Sequence, residues 1–103
     1  MNKQVLERLC ELQKTSQKAV LITILKTWGS TPRKAGSKML IEADGTMIGT
    51  IGGGCAEAEV RLQALQALAE HHSYIHKIDM LNSVAADEGM VCGGVMNVFI
   101  QVV

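Results

Sequence analysis

Apolar residues at helical spacing open the chain. Val5, Leu6, Leu9 and Leu12 recur between Lys3, Glu7, Arg8 and Glu11, which predicts an amphipathic helix from Asn2 to Lys14. Cys10 falls one turn from Leu6 on the flank of that face, where a small buried hydrophobe is expected. Polar residues from Thr15 to Lys18 break the pattern, and Ala19 to Leu25 follows as an apolar run rich in β-branched residues. Such a run predicts a strand buried on both faces and central in its sheet. Lys38 to Glu42 and Thr46 to Ile51 are two further strand-like runs around Ala43, Asp44 and Gly45, and an Asp-Gly pair so placed signals a hairpin. From Ala56 to about His71 the helical period returns, with Ala58, Leu62, Leu65, Leu68 and Ala69 on one face and Glu57, Arg61, Gln63, Gln66 and Glu70 elsewhere. Tyr74 to Met80 alternates as a strand does, Leu81 to Glu88 leaves its connection undetermined, and Val95 to Val103 reads as a final strand. The elements predict an α+β or α/β single domain, with a mixed sheet of about five strands covered by two helices.

The 103 residues suffice for one hydrophobic core and not for two. Ten basic residues balance ten acidic ones and only 3% are aromatic, which argues against both an electrostatic nucleic-acid binder and a base-stacking platform. No apolar run approaches the ~20 residues of a membrane helix. Charges interrupt the first helix at every turn, so it lacks the core of a signal peptide. The three cysteines are odd in number, and two of them stand among glycines rather than in a disulfide framework, which fits the cytoplasm with thiols kept reduced.

Chemistry concentrates where the apolar run GTIG meets GGC and a helical segment, from Gly49 to Val60. Gly52, Gly53 and Gly54 allow positive φ and a close approach of backbone to a ligand. Cys55 follows where the helix starts, beside unpaired N–H groups and the positive end of the dipole, which favour the thiolate. Glu57 and Glu59 in the first turn oppose that effect. The spacing of Gly49 and Gly54 matches a phosphate-binding loop, but Cys55 and Ala56 replace its Lys and its Ser or Thr. Gly52 and Gly54 begin a dinucleotide fingerprint that Glu57 interrupts. A second cysteine among glycines, Cys92 before Gly93 and Gly94, precedes the last strand, and the loop from Thr27 to Ser37 carries Arg33 and Lys34. If Cys55 and Cys92 converge near those cations, the pocket offers soft sulfur, anion-binding backbone and positive charge together, which suits a ligand with a soft metal and a phosphate. His71, His72 and His76 lack the spacing of a zinc site. Asp87 and Glu88 read as a solvated acidic pair, and Met39, Met47, Met90 and Met96 as filling of the core or of a pocket.

Three blocks in order, GSTPRKAGSKML, DGTMIGTIGGGCAEAEV and GMVCGGVMNVFIQ, closely resemble the amino-terminal domain of the XdhC/CoxI family, accessory proteins of xanthine dehydrogenase and carbon monoxide dehydrogenase. The resemblance implies an α+β domain that binds the molybdenum cofactor as cargo, protects it and delivers it to the apo-enzyme of a molybdenum hydroxylase. It also implies work beside a cysteine desulfurase-type sulfurase that supplies a sulfido ligand. Carried over by position, the family's motifs fall on Gly52, Gly53, Gly54, Cys55 and Glu57, on Cys92, Gly93 and Gly94, and on the segment from Ser30 to Arg33. The roles expected from it set Cys55 and Cys92 against the molybdenum, the triplet's amides on anionic oxygens, and Arg33 on a phosphate or the pterin edge. Longer members resemble two-domain proteins with a Rossmann-like carboxyl-terminal domain, whereas this sequence stops after its final strand; a separately encoded second half, a homodimer completing the site or a shortened chain would each account for that. Two other classes stay open from the residues: a thiol enzyme using Cys55 and Cys92, and an assembly factor that binds only a partner protein.

Overall fold

The computed structural model describes residues 2–29, 31, 33–52, 54–79 and 94–103. In chain order it contains helix α1 (Lys3–Lys14), strands β1 (Ala19–Gly29), β2 (Lys38–Glu42) and β3 (Met47–Gly49), helix α2 (Gly54–Glu70), and strands β4 (Tyr74–Asp79) and β5 (Gly94–Val102). The strands form one five-stranded sheet in the order β3-β2-β1-β5-β4. This sheet with its two helices is the α+β single domain expected from the sequence, but every pairing is antiparallel, so the sheet is not mixed. The reason is the route of the chain. β1, β2 and β3 meander to one edge, α2 lies between β3 and the opposite edge strand β4, and β5 returns to pair with β1.

Strand β1 is central, as its composition requires. Val20, Ile22 and Ile24 point to one face and join Met39, Ile41, Met96, Val98 and Ile100 under α2, while Ala19 and Leu21 point to the other and join Leu40 under α1. β1 also runs beyond the apolar segment. A register shift between Ile24 and Lys26 leaves Leu25 outside the ladder, and Lys26, Thr27 and Trp28 then pair with Asn97, Met96 and Val95. Residues that read as loop from their polarity are thus held in the strand by their partner β5.

Helix α1 starts at Asn2, whose side-chain oxygen accepts the N–H of Gln4 at 2.8 Å. Its buried stripe is Val5 and Leu12, with Leu9 partly covered. Leu6 and Cys10 lie one position round from Val5 and Leu9, a rotation of about 100° that carries them off the sheet. Both are exposed, so Cys10 is not the buried hydrophobe expected of it.

Helix α2 buries the face opposite to the one its leucines predict. Ala56, Val60, Ala64 and Ala67 are the buried positions, whereas Ala58 and Ala69 are exposed and Leu62 retains 67% of its accessible surface. Leu68 is the member of the predicted face that packs, in part, against the core. The sheet beneath supplies the volume. With isoleucines and methionines filling that layer, close packing admits only small side chains from the helix above.

Gly49 ends β3 with φ +83°, and a Cβ there would meet Val5 Cγ2 at 2.9 Å and the Lys38 carbonyl oxygen at 3.1 Å. Gly36 also has positive φ, at +93°, but a Cβ would meet open space. Gly36→Ala is therefore expected to cost about 1 kcal/mol of stability, from backbone strain alone, and Gly49→Ala about 2 to 3 kcal/mol, because steric overlap adds to the same strain. Urea unfolding followed through Trp28 fluorescence compares them; equal losses would contradict the packing of β3 against α1.

Candidate functional site

The connection from β1 to β2 folds back onto the strand it leaves. Gly36 N–H donates to the Ile24 carbonyl at 2.7 Å, Ile24 N–H donates to the Ser37 carbonyl at 2.9 Å, and Ser37 N–H closes a turn on the Lys34 carbonyl at 3.2 Å. Thr31 Oγ1 donates to the Arg33 carbonyl at 3.1 Å, and the exposed Arg33 side chain is thereby carried on an anchored loop. Between this loop, the start of α1 and the end of β3 lies an open cavity of about 470 Å³, lined by Asn2, Arg33, Ala35, Gly36, Ser37, Lys38 and Thr50. That volume falls within the range of clefts that take small organic ligands.

The electrostatics of the lining are one-sided. Lys38 Nζ donates to Thr23 Oγ1 at 2.8 Å, which fixes the ammonium without neutralising it. Among the described residues, neither Arg33 nor Lys38 has a carboxylate within ion-pair distance. Arg8 and Lys3, both on α1, differ in this respect. Arg8 makes a bidentate pair with Glu42, at 3.0 and 2.7 Å, and a further bond to Glu11 at 3.0 Å; these contacts push its guanidinium above its ordinary range. Lys3 lies 3.9 Å from Glu7.

Thr50 joins the cavity to the glycine turn. Its hydroxyl donates to Glu57 Oε1 at 2.6 Å and accepts the N–H of Gly52 at 3.0 Å. Gly52 has φ +135°, which favours glycine, and α2 begins two residues later at Gly54. Cys55 is the second residue of that helix by its backbone, as its sequence context predicts. The sequence-predicted residues therefore divide. Arg33 lines the cavity, and Gly52 and Glu57 are bonded to its wall through Thr50. Gly94 opens β5 opposite Gly29. Gly53, Cys92 and Gly93 lie outside the described residues, as do the side chain of Cys55, the acidic pair Asp87 and Glu88, and Met90, so the meeting of the two thiols does too.

Sequence reasoning did not single out Asn2, Lys38 or Thr50. Of the three, Lys38 alone carries a detectable signal, a cation followed by three apolar residues at the start of a strand; nothing local marks Thr50. Two of the histidines have other partners. His76 Nε2 lies 2.9 Å from Glu59 Oε1, and His72 stacks on Tyr74 with ring centroids 5.9 Å apart. Among the described residues no helix is long and apolar enough to cross a membrane.

A model of the XdhC and CoxI family matches residues 12–79. The chain belongs to that family. It is similar to a probable xanthine dehydrogenase subunit of Bacillus subtilis, 37% identical over 90 residues that cover 84% of this chain and 27% of the relative. The molybdenum cofactor insertion chaperone PaoD of Escherichia coli is 30% identical over 67 residues, covering 65% of this chain and 21% of its own. In three dimensions the fold matches a crystal structure of a xanthine dehydrogenase from Bacillus halodurans, with a TM-score of 0.75 and 29% identity over 95% of this chain and 30% of that one. The chain thus spans less than a third of the length of each of these proteins.

Thr50→Val keeps the shape of the side chain and removes its hydroxyl. The Gly52 N–H loses its acceptor and Glu57 its donor, so amide hydrogen exchange at Gly52 is expected to quicken roughly tenfold. Exchange in β2 should stay as it was. An unchanged rate at Gly52 would contradict the hydrogen-bonded turn.

Proposed function

We propose that this domain is a non-catalytic accessory module that holds the molybdenum cofactor for a molybdenum hydroxylase of the xanthine dehydrogenase or carbon monoxide dehydrogenase type. The family and the name of the PaoD relative support a role around that cofactor. The structural observation that carries the reading is the uncompensated cationic cavity bonded, through Thr50, to the turn that leads into Cys55. A cargo with a soft metal at one end and a phosphate at the other needs both surfaces close together.

In this reading Cys55, at the start of α2, is the metal-facing thiol, with Cys92 as the second thiol of the site. Amides of Gly53, Gly54, Gly93 and Gly94 approach the cargo's anionic oxygens, Gly52 shapes their turn with its own N–H held by Thr50, and Arg33 steadies the cargo's phosphate or pterin edge. Glu57 acts at one remove. Its carboxylate is engaged by the Thr50 hydroxyl at 2.6 Å, which orders the turn on which Cys55 stands. The partners are the apo-hydroxylase and a cysteine desulfurase-type sulfurase. A Rossmann-like domain, or a second copy of the chain in a homodimer, completes the machinery.

Purification without oxygen from cells that make the cofactor, followed by elemental analysis for molybdenum and fluorescence of the oxidised pterin, tests the reading. The wild type is expected to carry molybdenum and pterin near one per site, and Cys55→Ser and Cys92→Ser to lose most of both. Wild type that stays empty after attempted loading in vitro overturns it. Turnover abolished in Cys55→Ser, or a disulfide formed under oxidant, would instead mark a thiol enzyme.

A further inference from the structure

We infer that the cavity between Arg33 and Lys38 is a binding site for a phosphate monoester, and that its donors come from the β1–β2 loop and Asn2 rather than from the glycine triplet. Assigning this phosphate to the cargo rests on the function proposed above; the site itself does not. Two cations that line one cavity, neither paired with a carboxylate among the described residues, leave a positive field that a dianion neutralises. Arg33 offers a planar fork, and Lys38 keeps donors beyond the one spent on Thr23. Ser37 adds a hydroxyl.

Asn2 completes the set through its cap. Its Oδ1 is occupied by the N–H of Gln4, which leaves its NH₂ group to donate elsewhere. The first turn of α1 contains no acidic residue, so nothing there cancels the helix's positive end. The first turn of α2 differs, because Glu57 stands in it; the same carboxylate reaches the cavity wall only through its hydrogen bond from Thr50. Thr50 contributes no donor, since its hydroxyl proton is committed to Glu57. The volume of about 470 Å³ exceeds what a bare phosphate fills and leaves room for an organic group beyond it.

Titration of the ¹⁵N-labelled chain with inorganic phosphate and with phenyl phosphate, benzoate serving as a singly charged control, reads the site directly. Amide shifts are expected to centre on Gln4, Ser37 and Lys38, with phenyl phosphate bound more tightly than phosphate and benzoate weakest. Arg33→Gln and Lys38→Gln should each weaken binding about tenfold, Lys38→Arg should restore most of it, and Lys18→Gln, a remote cation, should leave it unchanged. Shifts centred on Gly52, Gly54 and Cys55, or wild-type affinity in both glutamine variants, would overturn the assignment. Phosphate binding as described in a protein that never takes up molybdenum and pterin would uphold this site and refute the carrier function. Cofactor uptake alongside unaltered phosphate binding in Arg33→Gln and Lys38→Gln would do the reverse.

Discussion

The pairing of β1 with β5 is the constraint on which the rest of this domain depends. It runs from Val20 opposite Val102 to Gly29 opposite Gly94, and places a strand without a polar residue before Thr23 in the middle of the sheet. A strand of that kind has two faces to cover. Val20, Ile22 and Ile24 require α2 on one side, Ala19 and Leu21 require α1 on the other, and burying each large aliphatic side chain contributes roughly 1.5 to 3 kcal/mol. The three-layer arrangement is the direct outcome.

The same strand positions the site. The β1–β2 loop is hydrogen-bonded back to Ile24, β2 delivers Lys38 opposite Thr23, and the β2–β3 hairpin delivers Thr50 to the same edge where α1 begins. Residues far apart in sequence thus surround one cavity because each is tied to a neighbouring strand. A rigid sheet with functional side chains on its connections is a common division of labour.

Zero net charge conceals an uneven distribution. Arg8, on α1, is consumed by Glu42 and Glu11, and the Glu42 pair fastens that helix to β2 through a nearly buried carboxylate. Arg33 and Lys38 have no such partner among the described residues. A bidentate contact of the first kind holds structure, while open cations at a cavity are available to a ligand.

Much of the fold was legible in the sequence. The β-branched run gave the central strand, Asp44 and Gly45 the hairpin, and the break after Lys14 the end of α1, because each signal is local and no competing element contradicts it. The family was legible too, since three ordered motifs specify more than any one glycine loop. Which faces are buried was not legible. α2 has apolar residues on all sides, and only the bulk of the sheet below selects Ala64 and Ala67 over Leu62; α1 presents Val5 rather than Leu6 for the same reason of contact. Nor does the sequence reveal that Asn2, Lys38 and Thr50 share a cavity with Arg33, because that neighbourhood is made by strand pairing across long separations. Sequence alone determined the elements, the turns and the lineage, which depend on short-range preference and pattern. Tertiary structure alone decided the antiparallel pairing, the buried faces and the company each cation keeps, because those depend on volumes and charges that meet only when the sheet has closed.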